Sequence, residues 1–252
     1  VLYLIFFALA GFRKPKAIQK QVARYRKVCI LLPAYKEDVV IIDSGLDAIA
    51  HRYKGEHDVC VIADKLQAET IRTLRENGVK VAEVKFEKST KGKALWTALS
   101  TLPKDVYDIA IVLDADNLMG KEFLNQINLA FEGGFRVVQG HRTAKNIDTP
   151  FAMLDACNEE INNHIFRKGH RSVGLSSALI GSGMAFEYNY LIELLDGIGD
   201  TVGEDKEIDF RILKAGVKIE YLNDALVYDE KIANASVFQN QRTRWIATQI
   251  EF

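Results

Sequence analysis

The chain has 252 residues, of which 48% are hydrophobic and 27% are charged, so it is long enough for one large globular core. Residues 1–36 hold eight Lys or Arg and no acidic residue, whereas the other 216 residues hold 25 basic and 34 acidic residues. This acidic balance argues against a general nucleic-acid binder, because such a protein needs a basic surface to neutralise phosphates.

The chain begins with an apolar run, Val1 to Phe12, which is too short to cross a bilayer that takes about 20 apolar residues. Seven Lys or Arg follow between residues 13 and 27. Because basic flanks mark the cytoplasmic side of membrane helices, we interpret residues 1–27 as the end of a transmembrane helix with its basic juxtamembrane segment. This predicts a membrane location with the following domain on the cytoplasmic side. An amphipathic or signal-like segment is the alternative.

From residue 28 onward, short apolar runs alternate with helical patterns, which is typical of βα units around a mostly parallel sheet. Strands are predicted at Val28 to Leu32, Asp58 to Ala63, Val79 to Lys85, Ile109 to Leu113 and Arg136 to Gln139. Helices between them are predicted at Val39 to His51, Ala68 to Asn77, Gly92 to Leu102 and Glu122 to Phe131.

After about Gly140 the strict alternation stops. A long mixed segment, residues 150–169, leads into a run of small residues at 174–186. Two more helices are predicted, from Glu204 to Lys214 and from Ala235 to Ile250. We see no internal repeat and no low-complexity linker, so residues 28–252 are predicted to form one continuous domain.

Asp114 and Asp116 come directly after an apolar strand, in the run IAIVLDADN, at the edge where open α/β sheets bind ligands. In an extended backbone, residues two apart project to the same side, so both carboxylates can face one cation. Mg²⁺ prefers oxygen ligands and commonly links carboxylates to substrate phosphates. A site for Mg²⁺ or Mn²⁺ is one interpretation of this pair, and a solvated turn is the other.

Two further groups of residues allow both a functional and a structural interpretation. Glu204 and Asp205 open a predicted helix, where the helix dipole by itself favours acidic residues. Gln241, Arg244 and Trp245 share one face of the last predicted helix. Arg can bind a diphosphate through its fork of donors, and an indole can stack on a sugar ring. The same pattern also fits an amphipathic helix with a Trp anchor.

The order of these motifs is more specific than any one of them. The series DxD, ED and QRTRW resembles the signature of family 2 glycosyltransferases, especially the membrane-integrated synthases related to cellulose, chitin and hyaluronan synthases. Thirty-five residues separate Asp205 from Gln241, as in that D, DxD, D, QxxRW signature. The likeness covers Leu31 to Trp245. It implies an α/β fold of the GT-A type, with a Rossmann-like nucleotide-binding sheet flanked by helices and fused to an acceptor-binding half.

The resemblance divides residues 28–252 into a nucleotide-sugar-binding half, 28–140, and an acceptor-binding half, 141–252. The donor-binding residues it implies are Pro33, Ala34, Tyr35, Glu37, Asp64, Lys91, Asp114 and Asp116. Those implied for the acceptor and diphosphate are Gly181, Ser182, Gly183, Gln241, Arg244 and Trp245. Asp64 matches the residue that holds the nucleobase. Three positions depart from the family pattern, because Lys36 and Trp96 stand where an Asn is usual and Gly203 stands where a Thr is common.

The resemblance further implies an inverting, metal-dependent transfer from a nucleotide-sugar, with a UDP-sugar as the first expectation. Asp114 and Asp116 would hold the divalent cation, and Asp205, next to Glu204, would be the general base. The implied partners are a nucleotide-sugar donor, a glycan or lipid acceptor and a membrane, with no nucleic acid. Cell-surface polysaccharide synthesis is the expected process.

Other classes stay open on the sequence alone. A phosphatase of the DxD type is one, although there the pair usually follows the first strand, and here three predicted strands precede it. A non-catalytic nucleotide-sugar-binding scaffold is another, and the departures at Lys36 and Trp96 point to it. A dinucleotide-dependent oxidoreductase is disfavoured because the first βα turn, PAYKED, lacks a Gly-rich phosphate loop.

Overall fold

The computed structural model describes residues 1–13, 18, 21–199, 203–232 and 243. These residues form an eight-stranded sheet with the order β3-β2-β1-β4-β7-β6-β8-β5. The strands are β1 Val28–Tyr35, β2 His57–Asp64, β3 Lys80–Val84, β4 Ile109–Val112, β5 Leu118–Met119, β6 Val137–Ala144, β7 Met184–Glu187 and β8 Ile219–Asp229.

The first four strands pair in parallel, as the βα pattern predicts, with β1 between β2 and β4 and with β3 outside β2. Beyond β4 the sheet becomes mixed. Strand β7 runs antiparallel to both β4 and β6, β8 runs parallel to β6, and β5 pairs antiparallel with β8. The sheet therefore has a parallel part, β3-β2-β1-β4, next to a mixed part, β7-β6-β8-β5.

Helices cover both faces of the sheet. They are α1 Leu2–Ala10, α2 Asp38–Ala50, α3 Ala68–Glu76, α4 Lys91–Thr101, α5 Phe123–Glu132, α6 Pro150–Asn162, a π-helix Asn163–Gly169, α7 His170–Ser172, α8 Tyr188–Leu195 and α9 Glu204–Lys214. Helices α2, α3 and α5 contribute to the core on one face, and α4, α8 and α9 contribute to the core on the other.

The packing of strand β1 explains why its sequence is apolar throughout instead of alternating between apolar and polar residues. Val28, Ile30 and Leu32 belong to the core under α2 and α5, whereas Cys29 and Leu31 belong to the core under α4 and α8. A strand buried on both faces has no solvent side, so it needs no polar alternation.

The five predicted strands and the helices among them are confirmed, with ends that differ by a few residues. The helix predicted from Glu204 to Lys214 is α9 with the same bounds. Six elements of the second half were not predicted: α6, the π-helix, α7, β7, α8 and β8. The last predicted helix, 235–250, lies outside the described residues apart from Thr243.

The predicted membrane location is contradicted. In the described part of the chain, no helix is long and apolar enough to cross a membrane. The apolar run at the start forms the nine-residue helix α1, which packs on the π-helix and α7 through buried Phe7 and Ala10. The Tyr3 hydroxyl lies 2.8 Å from His170 Nε2.

The division at residue 140 falls inside β6. Strands from both sides of that boundary lie in the same sheet, since β7 joins β4 to β6. The functional division into two halves stays a prediction.

Candidate active site

The crevice between β1 and β4 lies at a topological switch point. From β1 the chain continues outward through β2 and β3 on one side and returns to β4 on the other. Open α/β sheets bind ligands beyond the carboxyl ends of the strands at such a point. Glu37 and Asp114 follow these two strands. Burial raises the pKa of Glu37, and the nearby charge of Asp114 adds to the rise.

Asp64 is the last residue of β2 and lies beside Tyr35 of β1 in the strand register. The residue is only 2% exposed, and neither of its carboxylate oxygens has a hydrogen-bond partner among the described residues. A buried carboxylate without partners is unfavourable, so it indicates a ligand that donates a hydrogen bond there.

A lysine with positive φ follows each of these strands, Lys36 with φ 59° and Lys65 with φ 58°. Left-handed backbone is uncommon for residues with a side chain and occurs often at ligand sites. Both ammonium groups lie over the Tyr35 ring, at 5.2 and 5.1 Å from its centroid. The sequence reasoning missed Lys65. Lys36, which stands where the family pattern has an Asn, is therefore one of two lysines near Asp64.

Lys91, the first residue of α4, connects three parts of the site. Its Nζ forms an ion pair with Asp114 and donates a hydrogen bond to the carbonyl of Gly181 at 2.7 Å. Burial by itself would lower the pKa of Lys91, but the charges of Asp114 and Glu204 outweigh burial and raise it. Asp114 and Glu204, which come from separate motifs, therefore both act on one lysine.

The DxD residues lie in a turn, so the expectation of an extended backbone at this position is wrong. The N–H of Asn117 donates to the carbonyl of Asp114 at 3.1 Å and closes the turn. The Asp114 N–H donates to Ser182 Oγ at 3.0 Å, and Asn117 Nδ2 donates to Asp116 Oδ1 at 3.0 Å. These bonds hold the backbone of the turn against Ser182 of the small-residue loop and orient the Asp116 carboxylate toward Asn117.

Asp116 differs from Asp114 in its charge environment. Among the described residues no ion pair joins its carboxylate to a basic side chain, whereas Asp114 has Lys91. Burial raises the pKa of Asp116 to about 6, and the negative charges of Asp229 and Asp114 add to the rise. A cation would relieve this repulsion, so the residue fits a metal ligand.

Within the described residues, no group of three or more His, Cys, Asp and Glu could hold a metal ion. The protein therefore offers few carboxylates to a cation at Asp116. This fits the usual binding of Mg²⁺ by one or two carboxylates together with substrate phosphates and water.

The two acids of α9 have different surroundings. Glu204 is 9% exposed, and burial raises its pKa, although the charge of Lys91 opposes the rise. The Asp205 side chain is 23% exposed, and one of its oxygens lies 3.7 Å from Lys206 Nζ. Glu204 is thus part of the buried Lys91 cluster, and Asp205 is the more accessible acid.

Two glycines, Gly92 and Gly181, allow α4, α9 and the small-residue loop to approach one another closely. A Cβ on Gly92 would lie 3.3 Å from the Cβ of Glu204, so α4 and α9 begin side by side. Gly181 has φ +85°, a conformation that a residue with a side chain rarely adopts. Its carbonyl is the one that Lys91 binds.

Sequence reasoning missed a buried charge network behind the DxD turn. Arg142 of β6 donates from Nε to Glu159 Oε1 at 2.5 Å, and it lies 3.8 Å from both Asp114 and Asp229. Lys231 pairs with Glu159 and, at 2.7 Å, with Asp229. Burial would raise the pKa of Asp229, but Arg142 and Lys231 outweigh it and lower that pKa.

Asp229 joins the charge network to the DxD turn, because Asn117 Nδ2 donates to its Oδ1 at 2.9 Å. The network therefore links the DxD turn to α6 and to the end of β8. In the sequence, these charges stand in separate elements with no motif spacing, so only the fold brings them together.

The other predicted residues have simpler surroundings. Pro33 and Ala34 lie within β1, and Gly183 lies at the start of β7, where its φ is +66°. Gln241, Arg244 and Trp245 lie outside the described residues, and their roles stay predictions.

A comparison with protein families decides the class. Residues 26–248 match the family described as "Glycosyltransferase like family 2". The chain belongs to glycosyltransferase family 2. The predicted enzyme class is confirmed, and this family 2 assignment sets the DxD-type phosphatase aside.

Two curated relatives of this family 2 chain are both called N-acetylglucosaminyltransferase. The protein from Rhizobium sp. (strain N33) is 22% identical, and the one from Rhizobium meliloti (strain 1021) is 25% identical, each over 242 residues. The similarity covers 86% of this chain but only 51% and 54% of the relatives. The chain thus spans about half the length of the curated relatives it matches.

Solved structures are similar in fold. The mannosyltransferase PcManGT from Pyrobaculum calidifontis, in complex with GDP-Man and Mn²⁺, has a TM-score of 0.66 at 18% identity, covering 90% of this chain and 64% of that one. Glucosyl-3-phosphoglycerate synthase from Mycobacterium tuberculosis, with Mn²⁺, UDP and phosphoglyceric acid, has a TM-score of 0.60 at 19% identity, covering 95% and 84%. The predicted GT-A type α/β fold is confirmed.

Proposed function

We propose that this glycosyltransferase transfers a sugar from a nucleotide-sugar to a hydroxyl of a glycan or lipid acceptor, with inversion and with a divalent cation. The observation that supports this most is the cluster around Lys91, whose ammonium group binds Asp114 while its charge acts on Glu204. Donor-side and acceptor-side acids thus share one crevice at the switch point of the sheet. Cell-surface polysaccharide synthesis is the process we propose.

In this proposal, Asp205 accepts the proton of the acceptor hydroxyl. As the hydroxyl oxygen attacks the anomeric carbon, the bond from that carbon to the diphosphate oxygen breaks, and the proton passes to the Asp205 carboxylate. One displacement inverts the anomeric configuration. Glu204 stays buried against Lys91 and holds the lysine between Asp114 and Gly181.

In this proposal, three carboxylates bind the donor and its metal ion. Asp64 accepts hydrogen bonds from the nucleobase, and Asp116, with Asp114 beside it, holds the divalent cation. The cation would neutralise the negative charge of the diphosphate as it leaves. Arg142, which is 3.8 Å from Asp114, contributes positive charge to the same region.

The names of the relatives suggest an order for testing donors. Both curated relatives are called N-acetylglucosaminyltransferases, so UDP-N-acetylglucosamine is the first candidate. UDP-glucose and GDP-mannose come next, because the similar structures include a complex with UDP-glucose and one with GDP-mannose.

A donor panel tests the proposed function. We expect the protein with Mn²⁺ to release UDP from UDP-N-acetylglucosamine and to transfer the sugar to a glycan or lipid from an acceptor panel. Mass spectrometry of the product and its anomeric proton coupling measure transfer and inversion. A protein that binds donors but neither hydrolyses nor transfers any sugar would instead be a nucleotide-sugar-binding scaffold.

Asp64→Asn is expected to weaken UDP binding about tenfold without lowering the melting temperature. The variant loses a charged acceptor for the base, and it also removes a buried charge that has no partner in the free protein. Calorimetry and thermal unfolding measure the two effects.

Asp58→Asn is the matched control for Asp64→Asn, because it lies in the same strand but pairs with Lys80 at 3.0 Å and accepts from Tyr107 at 2.7 Å. It should lower the melting temperature and leave UDP binding unchanged. Equal UDP binding by wild type and Asp64→Asn would remove the nucleobase role of Asp64.

A further inference from the structure

Arg167 is a buried cation that the proposed mechanism does not use. It lies in the π-helix and is 7% exposed. Its Nη1 donates one long hydrogen bond, 3.3 Å, to Asn163 Oδ1, and its Nε has no partner in the part of the chain that the structure describes. No carboxylate in the described ranges lies within ion-pair distance of its guanidinium.

The environment of Arg167 disfavours its charge. Burial lowers its pKa to about 10, and the positive charge of Arg142 contributes to the decrease. Arg171, one turn further along the chain, shows the contrast, because it binds both oxygens of Glu220, at 2.8 and 2.6 Å. A buried cation without a counter-ion destabilises a protein by comparison with an apolar side chain of similar size.

The π-helix that carries Arg167 contacts β8, and the charge of Arg167 acts on one residue of β8 and one of α9. Burial raises the pKa of Tyr221 in β8, and the charge of Arg167 opposes the rise. The Tyr221 hydroxyl is itself buried and has no hydrogen-bond partner among the described residues. The π-helix and β8 are in contact, so two touching elements each carry a buried donor without a partner among these residues.

The residue of α9 on which this charge acts is Asp209. Burial raises its pKa to about 6, its carboxylate accepts from the N–H of Leu179 at 3.0 Å, and the charge of Arg167 acts on it without an ion pair. Asp209 is four residues after Asp205 and so shares its helix face. The charge of Arg167 therefore acts on the face of α9 that carries the proposed base.

The π-helix is a second, independent indication of a ligand. Such segments are rare and often occur at functional sites, because the wider turn redirects side chains. Asn163, its first residue, donates to the carbonyl of Arg142 at 2.9 Å and accepts from Arg167. This places the uncompensated cation next to the network that supports Asp114.

We propose that Arg167 and the hydroxyl of Tyr221 form a subsite for one anionic group, a carboxylate or a phosphate, carried by the acceptor. This inference rests on the proposed function, because it assigns a charge to the acceptor of the same reaction. An anion there would receive charge-assisted hydrogen bonds from Arg167 and a further one from Tyr221. The acceptor hydroxyl would then lie toward Asp205.

A binding experiment without turnover tests the subsite. Methyl phosphate and acetate are titrated at constant ionic strength into protein whose donor site is filled with UDP and Mg²⁺. We expect wild type to bind one of them, and Arg167→Met to bind it at least about tenfold more weakly. The preferred probe tells phosphate from carboxylate. No binding of either probe by wild type, or equal binding by Arg167→Met, overturns the proposal.

Two further variants, Tyr221→Phe and Arg72→Met, complete the probe-binding experiment. Tyr221→Phe removes a hydroxyl that has no partner, so it should fold normally and bind the probe a few-fold more weakly. If Arg167→Met does not fold, this variant decides the binding test. Arg72 lies exposed on α3, so Arg72→Met removes the same charge elsewhere and should bind like wild type.

Thermal unfolding separates a ligand-binding arginine from a structural one. Because burial and Arg142 outweigh the attraction of Glu159 and Asp209 and disfavour the charge of Arg167, Arg167→Met should melt no lower than wild type. A melting temperature several degrees lower, together with unchanged probe binding, would assign Arg167 to the fold.

Transfer kinetics connect the subsite with the reaction. With an acidic acceptor, Arg167→Met should raise KM at unchanged kcat, whereas KM for a matched neutral acceptor should not change. Equal KM changes for both acceptors count against the subsite. If no donor and acceptor pair supports transfer, the proposed function fails, while the binding test still judges the subsite.

Discussion

Asp205→Asn is expected to lower the rate of sugar transfer by about 10² to 10⁴, because asparagine cannot accept the proton of the attacking hydroxyl. Asp205 lies in the first turn of α9, and its side chain is 23% exposed, so it is accessible to an acceptor. The substitution changes little in shape. UDP binding should stay at the wild-type value, since the donor residues lie at the ends of β1, β2 and β4.

Product formation by mass spectrometry and UDP binding by calorimetry measure the two expectations for Asp205→Asn. Asp43→Asn is the matched control, because Asp43 lies exposed on α2 and undergoes the same chemical change. It should transfer sugar at the wild-type rate. Near-normal transfer by Asp205→Asn would show that another group accepts the proton. Loss of UDP binding by that variant would show that its effect is not confined to the acceptor side.

The first half of the fold was predictable because its signals are local. Strands β1, β2 and β4 are buried on both faces and are therefore short continuous apolar runs, which stand out between helical patterns. The motif residues of these strands lie at or just beyond their carboxyl ends, as Asp64 does in β2 and Asp114 after β4. Their position at one edge of the sheet then follows from parallel pairing alone.

The second half was harder to predict because its elements depend on distant partners. Strand β7 has four residues, and the sheet places it between β4 and β6, far from both in sequence. Strand β8 contains polar residues, among them Glu220 and Asp229, which pair with basic side chains of other elements, so its pattern is not apolar. The π-helix has no sequence signal among the rules that predict α-helices.

In the candidate site, too, residues that belong to linear motifs were predicted, and residues brought together only by the fold were missed. Lys91, Asp114 and Glu204 were selected from motifs, and the fold brings them together around one ammonium group. Arg142 and Lys231 were missed, because a buried ion-pair network is formed by the pairing of β6 with β8 and has no linear spacing. The DxD turn was also missed, since bonds to Asn117 and Ser182 decide its shape.

Asp116→Asn is expected to lower transfer by about 10²-fold or more, because it removes the carboxylate that is proposed to hold the cation. Asp114 already has Lys91 as a counter-ion, whereas among the described residues no basic side chain pairs with Asp116. EDTA should abolish wild-type activity, and Mn²⁺ or Mg²⁺ should restore it. Asp116→Asn should bind Mn²⁺ in the presence of UDP more weakly than wild type and than Asp43→Asn. Metal-independent turnover would exclude this role.

The pH dependence of Mn²⁺ binding gives a second measure of the Asp116 role. Burial and neighbouring carboxylates raise the pKa of Asp116 to about 6, so below that pH its carboxyl group holds a proton that a cation must displace. The Kd for Mn²⁺ should therefore rise about tenfold per pH unit below about pH 6 and stay constant above it. Asp116→Asn removes this contribution, and any dependence left in that variant belongs to the nucleotide phosphates. An identical pH dependence in wild type and variant would show that the metal does not bind Asp116.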